Sequence, residues 1–183
     1  MPCDYFYPSD AVPGRIYVIV EDSENFQPRL IKSDDLGETW SDCSEFTLDH
    51  HIWVLRDSPS DPAILLAVDE TKEDKTACLI RSIDGGTSWD NVSVVSGFAQ
   101  TRYSENILFH PSQPGTVFVG IDWRGTYESH DYGQKWANSS KSSITVNSSL
   151  GQQDFTVTYL NATNVVYGST QSEGPCSAVT YEK

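Results

Sequence analysis

Three aspartates stand in one chemical setting. Asp35, Asp84 and Asp131 each lie two residues after a serine (Ser33, Ser82, Ser129), two before a glycine (Gly37, Gly86, Gly133) and five before a tryptophan (Trp40, Trp89, Trp136). Carboxylates beside aromatic platforms are raw material for glycoside hydrolysis, which needs two carboxyl groups about 5 to 9.5 Å apart across a sugar cleft. The spacing argues for another use. An aspartate just ahead of a glycine can accept hydrogen bonds from backbone N–H groups two or more residues on, as Asx-turns do. The glycine suits a positive φ, and the serine hydroxyl adds a contact. The octets "SDDLGETW", "SIDGGTSW" and "SHDYGQKW" are therefore expected to be self-satisfied corners with a structural role. In them Trp40, Trp89 and Trp136 should fold back between sheets as apolar anchors, each indole N–H needing an acceptor. No catalytic residue, metal ligand or cofactor is assigned.

The elements that position these corners repeat with them. Successive tryptophans are 49 and 47 residues apart, a period that signals propellers or solenoids. Upstream of each octet stands a proline-punctuated turn running into a β-rich segment: "PSDAVPGRIYVIV", "DSPSDPAILLAV" and "HPSQPGTVFVG". A second short segment follows before the octet ("RLIKS", "ACLIRS", "GTYES"), and another precedes the turn, clear in "HIWVLR" and "NILFH". Each unit reads as strand A, turn, strand B, loop, strand C, octet, strand D, with strands of five to seven residues rich in Val, Ile, Leu and aromatics. No amphipathic helix is apparent. The units span about 4–48, 51–96 and 104–146, with an incomplete fourth over 154–183 that stops where its octet would begin. The fold predicted is all-β: a partial β-propeller of about three and a half four-stranded antiparallel blades.

In such a meander the A to B and C to D turns share one end, and the B to C and D to A connections share the other. Ligand contacts are expected at the second end. There the loop "DWRG" offers Asp122, Trp123 and Arg124, a hot-spot combination, and "SGFAQTRYSE" adds Arg102 and Tyr103. Acidic loops over 21–28 and 69–75 surround them. Lys and Arg number 12 against 26 Asp and Glu, for a formal net charge of −14. That balance excludes the basic footprint that nucleic acid or an anionic membrane requires. A protein or peptide ligand is the partner expected.

Cys3, Cys43, Cys78 and Cys176 are far apart and make no zinc-ligand pattern. They are disulfide candidates with three connectivities open, Cys43 with Cys78 among them. Sequons at Asn91, Asn138, Asn147 and Asn161 point with them to the lumen of the secretory pathway or the cell exterior, and two fall two residues beyond Trp89 and Trp136. The amino terminus has no signal-peptide pattern, and no stretch approaches a membrane span.

The motif S-x-D-x-G-x-x-W following P-x-x-P-x-hydrophobic resembles the Asp-box, or BNR, repeat of β-propellers. "ILLAVDETKEDKTACLIRSIDGGTSW", "ILFHPSQPGTVFVGIDWRGTYESHDYGQKW" and "LNATNVVYGSTQSEGPC" are similar to the luminal propeller of sortilin-type sorting receptors. That resemblance implies a ten-bladed propeller, of which this chain would be roughly a third, and a non-catalytic segment of a luminal or extracellular receptor. The family's peptide-binding residues lie in blades absent here, so none is carried over. Two alternatives stand beside it: a fragment of an Asp-box glycoside hydrolase, sialidase-like or xyloglucanase-like, and a small lectin-like protein that closes its ring by self-association. The chain is expected to need either its remaining blades or a second copy.

Overall fold

The structure is a computed structural model, and it describes residues 3–21, 27–46, 50–71, 77–92, 103–121, 125–138, 154–159, 166–171 and 178–181. Among these residues there are fifteen strands and no helix. The first sheet runs in chain order through β1 (Cys3–Pro8), β2 (Ile16–Glu21), β3 (Pro28–Ser33) and β4 (Ser41–Glu45). The second holds β5 (His50–Ser58), β6 (Asp61–Thr71), β7 (Ala77–Ser82) and β8 (Asp90–Asn91), and the third holds β9 (Tyr103–Phe109), β10 (Val117–Ile121), β11 (Gly125–Ser129) and β12 (Ala137–Asn138). A fourth comprises β13 (Asp154–Tyr159), β14 (Val166–Gln171) and β15 (Ala178–Tyr181). Every pairing is antiparallel between sequence neighbours. The chain divides into two compact units, residues 1–100 with the first two sheets and 101–183 with the other two.

Strand lengths depart from the expected five to seven residues. β5 has nine and β6 has 11. The long strand is a continuous apolar run, with Ile64, Leu65, Leu66, Ala67 and Val68 all buried, as expected when both faces of a strand are covered. β8 carries exposed residues, Asp90 and Asn91.

In the first unit the core lies between the two sheets. Tyr17 and Ile19 alternate on one face of β2, and Leu30 on β3 joins them, with Phe46 just beyond β4. They meet Ile52 and Leu55 of β5, Leu65 and Ala67 of β6, and Ile80 of β7, with Tyr7, Cys43, Cys78 and Trp89 packed at the margin. Fully burying one such leucine contributes about 2 kcal/mol. In the second unit Ile107, Phe109, Val117, Phe118 and Val119 are buried.

No disulfide joins Cys43 to Cys78, which corrects one of the three pairings left open by the sequence. Cys43 lies on β4 beside the Gly86 corner, where a Cβ on Gly86 would sit 3.7 Å from its own. Cys78 is four residues back along β7 from Ser82, about 13 Å of strand away from that corner, and disulfides need Cα atoms within about 7 Å. The side chain of Cys3, and Cys176 altogether, lie outside the described residues.

A buried carboxylate ties the two sheets where β5 ends. Asp57, 1% exposed, accepts from the Ser9 hydroxyl and, at 2.7 Å, from the Asp10 backbone N–H, both in the turn between β1 and β2. Ser9 Oγ in turn accepts from the N–H groups of Ala11 (3.1 Å) and Val12 (2.8 Å), so one hydroxyl caps the turn and reaches the next sheet. Burial raises the Asp10 carboxyl above its usual range, with Asp57 adding to the shift and Arg56, 3.9 Å away, opposing it. Tyr17 is pushed up to about 12, first by burial and then by the Asp57 charge. Replacing Asp57 with alanine leaves a part-buried hydroxyl and N–H without their acceptor. Asp57→Ala is expected to cost about 3 kcal/mol in urea unfolding, with Asp57→Asn, which keeps one acceptor oxygen, losing less than half as much.

Candidate functional site

The three corners share one set of hydrogen bonds. Ser33, Ser82 and Ser129, each 1% exposed, end β3, β7 and β11. Each hydroxyl donates to the aspartate two residues on, at 2.7, 2.8 and 2.8 Å. It accepts from that aspartate's N–H, at 3.2, 3.3 and 3.3 Å, and from the glycine N–H of Gly37, Gly86 or Gly133, at 2.7, 2.8 and 2.9 Å. Oδ1 of each aspartate accepts from the backbone N–H four residues on: Thr39 (2.8 Å), Ser88 (2.9 Å) and Lys135 (2.8 Å).

Oδ2 shows what the octet pattern did not reveal. In two corners the seventh residue is a hydroxyl that closes the ring, Thr39 onto Asp35 at 2.5 Å and Ser88 onto Asp84 at 2.6 Å. The third corner has Lys135 there. The Thr39 hydroxyl and N–H hold the Asp35 carboxyl down to about 2, and those of Ser88 do the same for Asp84. Asp131 is also lowered: burial pushes it up, but the Lys135 N–H and the Ser129 hydroxyl outweigh that.

Each corner needs two successive residues at positive φ, one more than expected: Leu36 and Gly37 (60° and 95°), Gly85 and Gly86 (76° and 91°), Tyr132 and Gly133 (58° and 82°). The first of each pair sends its N–H to the segment leading into strand B or to the start of that strand, Leu36 to Gly14 O (3.0 Å), Gly85 to Ala63 O (2.8 Å) and Tyr132 to Gly115 O (2.9 Å). That bond justifies a left-handed leucine and tyrosine, a conformation costing about 1 to 2 kcal/mol. Side chains follow it, Arg15 onto Asp34 and Thr116 Oγ1 to His130 Nδ1 at 3.2 Å.

The tryptophans differ from expectation. Each indole N–H turns back onto its own corner, donating to Gly37 O (3.0 Å), Gly86 O (3.2 Å) or Gly133 O (2.9 Å). In the first unit only Trp89 also reaches between sheets, to Ser44 Oγ at 3.1 Å and against the Phe46 ring at 6.0 Å. Trp40 is 44% exposed and braces no sheet pair, a correction to its expected role. An indole can be satisfied locally by its glycine carbonyl, so its burial is decided by whether a neighbouring sheet lies over it.

Of the expected ligand-binding residues, only Tyr103 lies among the described residues. Arg102, Asp122, Trp123 and Arg124 lie outside the described residues. Tyr103 opens β9, and its backbone stands opposite Ile121, the last residue of β10. Val117, at the other end of β10, stands opposite the corner serine Ser129. Tyr103 is thus at the end of the sheet remote from the corner, next to where residues 122–124 join β10 to β11. Asn91 is exposed on β8, and Asn138 occupies the matching position of β12: they stand opposite Ile80 and Tyr127, each two residues before its corner serine. Asn147 and Asn161 lie outside the described residues.

No family model and no curated protein matches this sequence. Solved structures do. The GH74 enzyme of Niastella koreensis is 15% identical, with a TM-score of 0.64 over 99% of this chain and 28% of its own. The GH74 xyloglucanase of Xanthomonas campestris is 14% identical, with a TM-score of 0.56 over 99% of this chain and 29% of its own. YCF48 bound to D1 peptide is 14% identical, with a TM-score of 0.50 over 98% of this chain and 59% of its own. The chain therefore spans under a third of each glycosidase. At such identity the likeness shows the fold, a partial β-propeller of antiparallel sheets.

Two measurements test the corners. Asp35 and Asp84 titrate near 2 when folded and near 3.9 when unfolded, so their depressed values stabilise the fold above about pH 4, and that stabilisation is lost as pH falls toward 2. Thermal scans should show the melting temperature dropping through that window, with a shallower drop in Asp84→Asn, which starts lower at pH 7. Alanine at Gly85 meets no atom within 4 Å and bears only its φ of 76°, about 1 kcal/mol. Alanine at Gly115 would also press its Cβ to 2.8 Å from the His130 carbonyl oxygen, and should cost about 3 kcal/mol in the same denaturation assay.

Proposed function

We propose that this chain is a ligand-binding propeller segment that takes a protein or peptide by contact alone, at the sheet end remote from the corners. The observation that carries the reading is the state of the three regularly spaced carboxylates. Each accepts N–H and hydroxyl hydrogen bonds from its own loop and is held below the ordinary range, whereas a general acid works best with a pKa near the operating pH. Recognition then falls to the other end, where Tyr103 adjoins the 122–124 connection. YCF48, a propeller of similar fold, is bound to a D1 peptide in its own structure. The four sequons and the octet spacing favour the finer reading, a segment of a sortilin-like receptor in the secretory lumen or outside the cell.

The GH74 likeness favours a second reading, a piece of a glycosidase whose cleft needs sheets beyond these. One experiment separates the two. The purified chain is titrated with a library of short labelled peptides, and incubated with xyloglucan. The binding reading expects a peptide whose affinity falls about tenfold or more in Trp123→Ala and Arg124→Ala with the melting temperature unchanged. Release of oligosaccharides, or peptide binding indifferent to both variants, would overturn it.

A further inference from the structure

The last strand of each of the first three sheets holds a polar residue at one fixed station. Two residues before the corner serines stand Ile31, Ile80 and Tyr127, and opposite them stand Asp42, Asn91 and Asn138. A serine follows each at the second place, Ser44, Ser93 or Ser140. The station therefore reads Asp-Cys-Ser in the first sheet, and Asn-Val-Ser and Asn-Ser-Ser in the next two, which are acceptor sequences for an N-linked glycan. Two of the four sequons thus share one structural register, an alignment that composition alone does not arrange.

The same station lies on the open margin of the sheet. β8 and β12 are the last strands of their sheets among the described residues. Asn91 pairs with Ile80, while the N–H of Val92 reaches Leu79 O at 2.9 Å. In an antiparallel ladder that bond marks Asn91 and Ile80 as a non-hydrogen-bonded pair, so the Asn91 backbone N–H and C=O point away from β7, to the side where a foreign strand would add. Asn91 is exposed although Ile80 opposite it is buried, so it is reachable in the folded chain. The first sheet guards this station with charge: the Asp42 side chain is 72% exposed and pairs with Arg29 at 3.2 Å.

We infer that Asn91 and Asn138 carry N-linked glycans, and that these glycans cover the open margins of the second and third sheets, as the charge of Asp42 does in the first. A charged or bulky group at the margin of a sheet keeps other chains from pairing with it. In the transfer, the side-chain nitrogen of each asparagine bonds to the anomeric carbon of an oligosaccharide carried as a lipid diphosphate. The carbon–oxygen bond to the diphosphate breaks, the lipid diphosphate leaves with the electron pair, and the proton lost from the amide balances the charge with no change of oxidation state. The inference rests on the secretory passage proposed for the chain and is independent of its ligand.

The full chain, led by an added signal peptide, is made in a cultured eukaryotic host, and its luminal and secreted pools are combined. Releasing the glycans with an amidase in heavy-oxygen water marks each occupied asparagine as a labelled aspartate in the peptide map. The expected result is label at both Asn91 and Asn138 in most molecules, and the loss of one glycan's mobility step in each of Asn91→Gln and Asn138→Gln. The double variant should show a several-fold larger aggregated fraction on size exclusion, with an unchanged far-ultraviolet spectrum. Ser93→Ala combined with Ser140→Ala removes both acceptor sequences while sparing the asparagines, and should aggregate likewise. A bare asparagine at either position would overturn the inference, as would a double variant that stays as monodisperse as the glycosylated chain. A chain glycosylated at both positions that binds no peptide would overturn the ligand reading alone.

Discussion

One serine hydroxyl in each of the first three sheets carries the local architecture. It donates once, to an aspartate, and accepts twice, from N–H groups that two successive left-handed residues help to bring around it. Such concave arrays of N–H groups ordinarily bind anions; here the cavity is filled from within by an oxygen of the same loop. The first left-handed residue sends its own N–H back to the A to B connection, so the two turns at this end of each of these sheets are fastened together. With that end fixed, variation is left to the other, where the connecting segments differ in length and charge from unit to unit.

Much of this was legible because the signals are short-range. An aspartate two residues after a serine and two before a glycine satisfies its bonds within eight residues, so the octet reports its own conformation wherever it occurs. Strand existence and order were legible for the same reason, through alternation and turn residues. What escaped depends on partners far along the chain. Leu36 and Tyr132 give no sign of a left-handed backbone, because the bond that holds them comes from Gly14 and Gly115, more than a dozen residues earlier. Asp57 reads as an ordinary acid at a turn, and only the folded arrangement brings it to Ser9 and Asp10. The seventh-position hydroxyls Thr39 and Ser88 were within reach of sequence reasoning, but the lysine of the third octet hid them.

The distribution of chemistry follows from the same constraint. The carboxylates most regular in sequence are the least available, since every strong donor near them is already engaged. Regularity here marks scaffolding.

Gly86 adds a geometric corollary. A Cβ there would lie 2.8 Å from Leu30 Cδ2 and 3.7 Å from Cys43 Cβ, both on the preceding sheet. At this corner the gap between consecutive layers is therefore set by a hydrogen atom where other residues carry carbon. A bulkier side chain would open the wedge, and with a wider wedge fewer layers complete a circle. The smallest residue of the second octet thus helps govern how closely the first two layers approach.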